Sequence, residues 1–548
     1  MQEEERGKRK RRRAPLGHDQ DGRPRAVFMA FGTKGDVLPV AAIAAALARN
    51  LENYHVFLIT HTTHEYLSMH MLAEKVSFVP ISTPPVLSMQ EHDDDDLSFS
   101  SRKVAIDERH KLECLSAVES VFEESSYLTG DFIAMNFFAL EGWHLAELFR
   151  VPCVVTAPYV VPYSMPSSYE SRFENDFPLL FRCLQDAPPG KVSWKDVTHW
   201  MWPLFTENWG SWRSQCLRLS ACPLTDPVTG LPMLHDWPQS PLLLYGFSRE
   251  IVECPDYWPS SVHDCGLWFP PLKWEFSCTN CGQSAARFPS EESAMNLKLC
   301  MNHSALQNFL EEKSGTCSPI FIGLSSIGSL AFFALGSNTF CLCHGTTLCR
   351  MGFMRKPEAF LSVLKVVLEN TDHRVILFSA GYEPLNNIIR RVHRESSKYE
   401  AKQKYLIEDG ILLFDDKLFC FSGSIPYKWV FSRCSIAVHH GGSGSTAAAL
   451  STGIPQILCP FILDQFYWAE RMSWLGVAPD PLSRSFLIPD EDDHISISQA
   501  ANALIQAIRS ALSDEIKTRA SEVAQKISKE VWGREHNPIK FRMESEKL

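Results

Sequence analysis

The sequence lacks the features of a membrane-spanning, secreted or nucleic-acid-binding protein. Its 548 residues contain no run of about 18 apolar side chains, the length that a membrane-spanning helix needs. The N-terminus, MQEEERGKRKRRR, is charged where a secretory signal would be apolar. The formal net charge of −11 argues against a general nucleic-acid binder. We therefore expect a cytoplasmic protein that binds no nucleic acid.

Positive charge is concentrated at the N-terminus, where residues 1–25 hold nine Lys/Arg and five Asp/Glu. Lys8 to Arg13 form an uninterrupted basic hexamer. We predict a disordered, solvated tail over residues 1–25. Peripheral contact with anionic membranes and nuclear import are the alternative functions of such a segment. The 17 cysteines are scattered, so we expect mostly buried thiols in a reducing compartment.

What the sequence does contain is a repeated α/β pattern, within a composition typical of a globular chain (45% hydrophobic, 21% charged). Ala26–Phe31 is a short apolar run, followed by the turn GTKGD and an alanine-rich helix over Val37–Arg49. Such runs predict parallel strands buried on both faces. Further predicted strands are Tyr54–Thr60, Asp131–Asn136 and Pro152–Pro158. We assign residues 26–270 to a Rossmann-like domain. Its segment 160–275 is rich in Trp, Pro and Phe, which is compatible with an apolar pocket or with core packing.

The same pattern restarts at Pro319 and predicts a second Rossmann-like domain over 319–495. A linker over 271–318 and a helical C-terminal segment over 496–548 complete the chain. Ligands would bind in the cleft between the halves, at the C-terminal ends of both sheets. The predicted strands of this half are PIFIGL, RVILFSA, GILLFD, SIAV and PQILCP, and the predicted helices are 357–370, the glycine-rich start at 441, and 464–475.

The strongest local signal is the segment 438–477, which begins VHHGGSGSTAAAL. Its glycines allow a ligand close to the backbone, and the N-terminus of the following helix suits a phosphate. The segment lacks the lysine of a P-loop and the G-x-G-x-x-G of a nicotinamide site. A glycine-rich turn that merely packs a helix on a strand is the alternative. Asp464 and Gln465, about 20 residues later, supply groups that can bind sugar hydroxyls.

Four motifs in this order resemble those of the UDP-glycosyltransferase superfamily, most of all its plant-type sterol 3-beta-glucosyltransferases. They are FGTKGDVLPVAAIAAAL, PIFIGLSSIGS, SIPYKWVFSRC and the HHGG-x-G segment. The resemblance implies a GT-B fold, in which two facing Rossmann-like domains are followed by a C-terminal helix that crosses back to the first. It also implies an acceptor in the first half and a UDP-sugar in the second.

The resemblance further implies a role for individual residues. Asp36 would be the general base, and His439 would contact the diphosphate. Asp464 and Gln465 would hold the sugar, and Ser326 would lie on the phosphate side. The segment from Ser424 to Trp429 would line the uracil. The turn that holds the diphosphate would consist of Gly441, Gly442, Ser443, Gly444, Ser445 and Thr446.

These roles imply a metal-independent transferase that moves glucose from UDP-glucose, as co-substrate, to the 3-hydroxyl of a sterol. Attack from the back face inverts the anomeric carbon and gives a β-glucoside. No other cofactor is expected. The same chemistry on another lipophilic alcohol, and a catalytically silent GT-B scaffold, are the alternatives.

Two departures from the family pattern bear on these expectations. Ala447 stands where the plant phenolic branch has a ribose-binding glutamate, which favours the sterol branch. Residues 330–350 resemble nothing in the family, and we interpret them as either a real insertion or a retained intron.

A Cys278-x-x-Cys281 pair could supply half of a zinc site, completed by Cys265 or Cys300 and by His263 or His303. A single C-x-x-C without a clear second pair is weak support. We therefore predict no metal ligands.

Overall fold

A computed structural model describes the chain from residue 22 to residue 535, with gaps. The first 21 residues of the predicted tail, Ser326 and the atypical segment 330–350 lie outside the described residues. The described ranges are 22–85, 96–122, 128–160, 165–233, 238–253, 258–288, 290–312, 318–324, 354, 356–396 and 410–535.

The first half contains a seven-stranded parallel sheet with the order β3-β2-β1-β4-β5-β6-β7. All five residues of β1 are buried, and the four from Ala26 to Met29 alternate between the cores on the two faces of the sheet. The predicted strands β1, β2, β4 and β5 are confirmed, whereas β3, β6 and β7 were not predicted. The strands are β1 Arg25–Met29, β2 His55–His61, β3 Val76–Ile81, β4 Phe132–Met135, β5 Cys153–Ala157, β6 Leu242–Tyr245 and β7 Val262–Asp264.

The predicted tail extends a few residues too far. Arg25 begins β1, and its guanidinium forms a buried ion pair with Asp131, with 2.6 Å between Nη2 and Oδ2. The first strand therefore starts inside the segment that we predicted to be disordered.

Helices cover both faces of this sheet. Trp200, Trp209 and Trp212, from the aromatic-rich segment, are buried in the core on one face. Of the two interpretations of that segment, these side chains support core packing. The helices are α1 Lys34–Asn50, α2 Ser68–Ala73, α3 Asp96–Phe122, α4 Glu141–Phe149, α5 Tyr169–Asp176, α6 Pro178–Gln185, α7 Trp194–Asp196 and α8 Pro203–Thr206, with a 3-10 turn over Thr62–Leu67 and π-helical turns over Val197–Met201 and Trp212–Leu217.

The segment predicted as a linker divides sharply between the two cores. Trp274 is buried in the core of the first half, whereas Phe276 and Cys281 pack with the core of the second. Residues 276–312 are therefore part of the second half. The helices of the predicted linker are α9 Leu272–Glu275, α10 Thr279–Ala285, α11 Glu291–Ala294 and α12 Ser304–Glu311, with a 3-10 turn over Met301–His303.

The second half contains a six-stranded sheet with the order β10-β11-β9-β8-β12-β13, which is parallel except for the β10–β11 pair. The five predicted strands of this half are present. The antiparallel hairpin partner β11 was not predicted. The elements are β8 Ile320–Gly323, α13 Pro357–Glu369, β9 Val375–Phe378, α14 Glu383–Ser396, β10 Ile411–Leu413, β11 Leu418–Phe421, α15 Tyr427–Phe431, β12 Ile436–His439, α16 Ser443–Thr452, β13 Gln456–Leu458 and α17 Gln465–Trp474.

The chain ends in two long helices, α18 His494–Ala511 and α19 Asp514–Glu535, with a 3-10 turn over Arg484–Phe486 before them. Ala520, Val523 and Ile527 of α19 are buried in an apolar cluster that contains residues of both halves. This shared cluster agrees with the return crossing expected of a GT-B protein.

Polar contacts also join the two halves. Lys526 of α19 lies 3.7 Å from the Glu250 carboxylate. Arg471 of α17 donates to the Ile251 carbonyl and lies 3.8 Å from the Glu253 carboxylate. Among the described residues, no helix is both long enough and apolar enough to cross a membrane.

Candidate active site

The turn after β1 holds Asp36 in a capping box at the start of α1. Thr33 is the N-cap residue, and its N–H and hydroxyl both donate to Asp36 Oδ2, at 2.7 and 2.8 Å. Gly32 has φ +105°, and a Cβ there would lie 2.6 Å from the same carboxylate oxygen. Only glycine fits, since a side chain would be strained and would collide with the carboxylate.

Two buried side chains that sequence reasoning missed hold this turn in place. Asn136, at the end of β4, donates to the carbonyls of Phe31 and Asp36 at 2.8 and 3.3 Å. The His64 Nε2 atom lies 3.0 Å from the Gly32 carbonyl oxygen. The only signal for either residue is its position after a strand whose C-terminal end meets that of β1.

The two candidate carboxyl groups belong to different halves and interact electrostatically. Burial raises the pKa of Asp36 to about 6, against the hydrogen bonds from Thr33, which lower it. Burial and, to a smaller extent, the charge of Asp36 raise the pKa of Asp464 to about 7. The turn after β1 and the loop before α17 therefore lie close enough for their carboxyl groups to interact.

In the turn after β12, His439 is fully buried and both of its ring nitrogens are engaged. Nδ1 accepts the Gly441 N–H at 3.1 Å, and Nε2 lies 3.0 Å from the Gln456 amide oxygen. This pattern requires the neutral tautomer with its proton on Nε2. Burial lowers the pKa of His439 to about 4, which agrees with a neutral ring.

His440, next to it, is also buried. Burial and the neighbouring His439 lower its pKa to about 3. Both histidines are therefore neutral near pH 7. His439 fixes the glycine turn through Gly441, and its predicted contact with a diphosphate stays a prediction.

Helix α16 begins without a side-chain cap. Its N-cap residue is Gly442, no acidic residue occupies its first turn, and Gly444 is exposed. The first N–H groups of a helix have no partner within the helix and carry its positive dipole end. Thr446 Oγ1 is also buried without a hydrogen-bond partner among the described residues. This end of the helix is thus prepared for an anion.

Asp464 and Gln465 lie against this turn. Gly441 has φ +85°, and a Cβ there would lie 3.0 Å from the Gln465 carbonyl oxygen, so only glycine allows this approach. The Asp464 carboxylate accepts the Trp468 indole N–H at 3.0 Å. The Gln465 amide oxygen accepts the N–H groups of Phe461 and Ile462, at 2.9 and 3.2 Å. Its amide NH₂ therefore remains as the group for a ligand.

Ser424 and Trp429 are both hydrogen-bonded to residues of the segment 275–297. The Trp429 side chain is fully buried, and its indole N–H donates to the Leu297 carbonyl at 3.1 Å. The Ser424 hydroxyl donates to the Glu275 carbonyl at 2.9 Å. These two side chains anchor the segment 424–429, and its role at a uracil ring stays a prediction.

The structure thus brings together Asp36, the turn 439–446 and the pair Asp464–Gln465, whereas Trp429 is buried and Ser424 is bound to the Glu275 carbonyl. A carboxylate that can accept a proton faces a helix terminus that can hold an anion. This arrangement suits a displacement in which an acceptor hydroxyl attacks and an anionic group departs.

Comparison with known proteins identifies relatives that are similar in sequence and solved structures that are similar in fold. Residues 420–532 match the family model described as "Erythromycin biosynthesis protein CIII-like, C-terminal domain". The chain is 23% identical to sterol 3-beta-glucosyltransferase UGT80A2 of Arabidopsis thaliana over 92% of its own length and 63% of that protein. It is 44% identical to enfumafungin synthase efuA of Hormonema carpetanum over 25% of its own length and 10% of that protein. The chain thus spans less than two thirds of the length of these relatives.

Among solved structures, the calicheamicin glycosyltransferase CalG4 is similar with a TM-score of 0.51 and 14% identity, covering 92% of this chain and 94% of that one. The kitacinnamycin glycotransferase has a TM-score of 0.50 and 13% identity, covering 92% and 95%. The predicted GT-B fold and the resemblance to the glycosyltransferases are both confirmed.

Proposed function

We propose that this chain is an inverting glycosyltransferase that moves glucose from UDP-glucose to the 3-hydroxyl of a sterol. One observation carries the proposal: Asp36 of the first half lies close enough to Asp464 of the second to raise its pKa, and Gln465 beside it packs against the glycine turn at the uncapped N-terminus of α16. The names of the relatives support a sterol acceptor and a glucosyl group.

Asp36 is the proposed general base. An alcohol hydroxyl has a pKa far above 7, so it needs a positioned base to lose its proton as it attacks. Thr33 occupies one oxygen of the Asp36 carboxylate and fixes its orientation, while the second oxygen serves the acceptor. With a pKa of about 6, this carboxylate is mostly ionised at neutral pH and is still a useful base.

The N-terminus of α16 stabilises the departing UDP. As the acceptor oxygen bonds to the anomeric carbon, the bond from that carbon to the β-phosphate oxygen breaks, and its electron pair leaves with UDP. The N–H groups at Ser443 to Ser445 donate to the phosphate, so the proposed step is metal-independent. Asp464 and the Gln465 NH₂ hold the sugar hydroxyls, and His439 acts as a positioning residue for the turn.

Incubation of the purified full chain with radiolabelled UDP-glucose tests the proposal. Parallel reactions supply a sterol, a long-chain alkanol or no acceptor, each with and without added Mg²⁺. We expect a steryl β-glucoside, identified by the NMR coupling of its anomeric proton, at a rate that Mg²⁺ does not change.

Other outcomes separate the alternatives. Transfer to the alkanol alone would refute the sterol, and an α-linked product would refute inversion. Binding of UDP without transfer to any acceptor would favour the scaffold alternative. A variant lacking residues 330–350 is assayed beside the full chain, because transfer by the shorter form alone would identify that segment as foreign to the enzyme.

A further inference from the structure

Four metal-ligating side chains converge beside the segment 424–429. Cys278 is the N-cap residue of α10, and Cys281 lies in the first turn of that helix. Cys300 immediately precedes the 3-10 turn Met301–His303. The last residue of that turn, His303, is the fourth side chain of the group. The spacing is therefore C-x-x-C followed by C-x-x-H. The three sulfurs and one nitrogen all lie within 4.8 Å of one another.

We propose that Cys278, Cys281, Cys300 and His303 bind a structural zinc ion. Tetrahedral zinc, with Zn–S of about 2.3 Å and Zn–N of about 2.0 Å, places two sulfurs about 3.8 Å apart and a sulfur and a nitrogen about 3.5 Å apart. The observed Cys278–Cys300 sulfur separation is 3.7 Å. The Nδ1 atom of His303 lies 3.6 Å from the Cys281 sulfur and 3.3 Å from the Cys300 sulfur. The atoms thus already lie near the corners of a zinc tetrahedron.

The surroundings agree with a thiolate-bound metal. Cys281 and His303 are buried, and the Cys300 N–H donates to the Cys281 sulfur at 3.4 Å. The His303 ring packs against Phe421, with 5.6 Å between ring centroids, which fixes its orientation. Four protein ligands leave no open position for a substrate, so the site is structural and not catalytic. A disulfide would use only two of these groups, with a sulfur–sulfur bond of about 2.0 Å.

The location of the site gives the zinc a specific task. The ligands lie on both sides of Met295 and Leu297, whose carbonyls accept hydrogen bonds from Arg433 and Trp429 at 2.6 and 3.1 Å. On the other side of Cys278, the Ser277 N–H donates to the Ser424 carbonyl at 2.9 Å. The metal therefore holds residues 277–303 in the conformation whose hydrogen bonds fasten them to the segment 424–433.

Metal analysis of the purified full chain tests the site independently of any sugar transfer. We expect one zinc per chain by mass spectrometry of the protein, and X-ray absorption showing three sulfurs and one nitrogen around the metal. Absence of zinc after expression in zinc-supplemented medium, or a first shell of oxygen and nitrogen alone, would overturn the proposal. A Cys278–Cys300 disulfide under reducing purification would also overturn it.

Variants test the individual ligands. Cys300→Ser and His303→Ala should each lower the zinc content well below one equivalent. Cys216 is exposed and lies far from the four ligands in the sequence, so Cys216→Ser should retain the zinc. Unchanged zinc in both ligand variants would contradict the assignment. If these variants fail to fold, replacement of zinc by Co²⁺ in the unaltered chain remains informative, because thiolate–cobalt charge-transfer absorption reports the cysteine ligands.

The fastening is tested by hydrogen exchange with and without a chelator. Loss of zinc should lower amide protection in 277–303 and in 424–433 together, while β1 and α1 remain protected. Zinc removal that leaves the exchange of 424–433 unchanged would refute the fastening.

Discussion

The two strand-to-helix turns that face each other across the cleft have the same architecture and opposite electrostatics. At the start of α1, Thr33 and Asp36 complete a capping box, so a carboxylate satisfies the helix terminus from within. At the start of α16, Gly442 offers no side chain, and the first turn holds no acid. One terminus thus contains its own anion, whereas the other is left for a ligand.

The difference shows how one structural unit can serve both sides of a transfer reaction. A carboxylate stabilises a helix terminus by about 0.3–1 kcal/mol, and the first turn uses this effect. The second turn forgoes that stabilisation, and the glycines leave room for an anion that arrives from outside. In the proposed function, the capped turn supplies the base and the uncapped turn receives the leaving group.

The strongest test breaks the first turn chemically while keeping its shape. In Asp36→Asn, the amide oxygen can still accept the hydrogen bonds from Thr33, but the group no longer accepts a proton. We expect transfer to fall by about 10²- to 10⁴-fold, the usual contribution of a general base, with little change in melting temperature. Initial rates and thermal melts are measured together.

Thr33→Ala is the matched control, because it damages the cap and keeps the carboxylate. It should lower stability by about 0.5–2 kcal/mol and preserve most of the transfer rate at pH 8. Full transfer by Asp36→Asn would restrict Asp36 to a capping role.

The second test makes the uncapped turn resemble the capped one. Gly444 lies in the first turn of α16 and is exposed, and a Cβ added at this position would meet no other atom within 4 Å. Gly444→Asp should weaken UDP binding about tenfold or more, equivalent to about 1.4 kcal/mol, because the new charge repels the diphosphate. Calorimetric titration with UDP measures this loss.

Gly444→Asn is the control, since it adds nearly the same volume without the charge. Equal losses of affinity in the two variants would mean that bulk, and not charge, governs the site.

The third test follows the titration of the base. Because Asp36 must be ionised and its pKa is raised to about 6, kcat/KM should fall tenfold per unit as the pH drops below 6. The hydrogen bond from the Thr33 hydroxyl lowers this pKa, so Thr33→Ala, which removes that bond and keeps the one from the backbone N–H, should move the acid limb to higher pH. If kcat/KM falls at the same pH in the unaltered chain and in Thr33→Ala, the group that titrates is not Asp36.

The smallest expected effect is on folding stability, which is lowered when Asp464 is ionised near Asp36. A carboxyl whose pKa is raised to about 7 in the folded protein binds its proton more tightly there, so stability falls as the pH rises from about 4 to 7. Asp464→Asn removes this loss. Because the side chain is only half-buried, we expect a gain of about 1 kcal/mol at pH 8 that disappears near pH 4.

Denaturant unfolding at both pH values measures this gain, with the exposed Asp480→Asn as control. An equal gain at pH 4 would show that the effect does not come from the charge. The gain in stability should accompany a loss of transfer, because Asp464 is assigned to the sugar.

Sequence reasoning located these two turns because local signals mark them. Continuous apolar runs identified β1 and β12 as strands buried on both faces, and glycines marked the turns that follow. The strands β6 and β7 were missed, because they are four and three residues long and lie in a Trp- and Pro-rich stretch. The pairing of β6 with β5, almost 90 positions earlier in the chain, is a long-range contact that no local pattern reveals, and β7 in turn pairs with β6.

The features of the site that could not be predicted from the sequence depend on contacts between segments that are distant in the chain. Ser424 and Trp429 match a motif, but residues 275–297, more than 100 positions earlier, determine where their side chains lie. The second half of the cysteine cluster was likewise ambiguous among four residues. Folding places His263 on β7 of the first half and brings Cys300 and His303 to the pair Cys278–Cys281.

The division of the predicted linker has a mechanical consequence. Among the described residues, the backbone passes from one core to the other within three positions, with Trp274 packed on one side and Phe276 on the other. So short a connection does not by itself fix the angle between the halves. That angle depends on contacts made elsewhere: the apolar cluster that buries Trp468 and Val523 together with residues of the first half, and the polar contacts of residues 250–253 with Arg471 and Lys526.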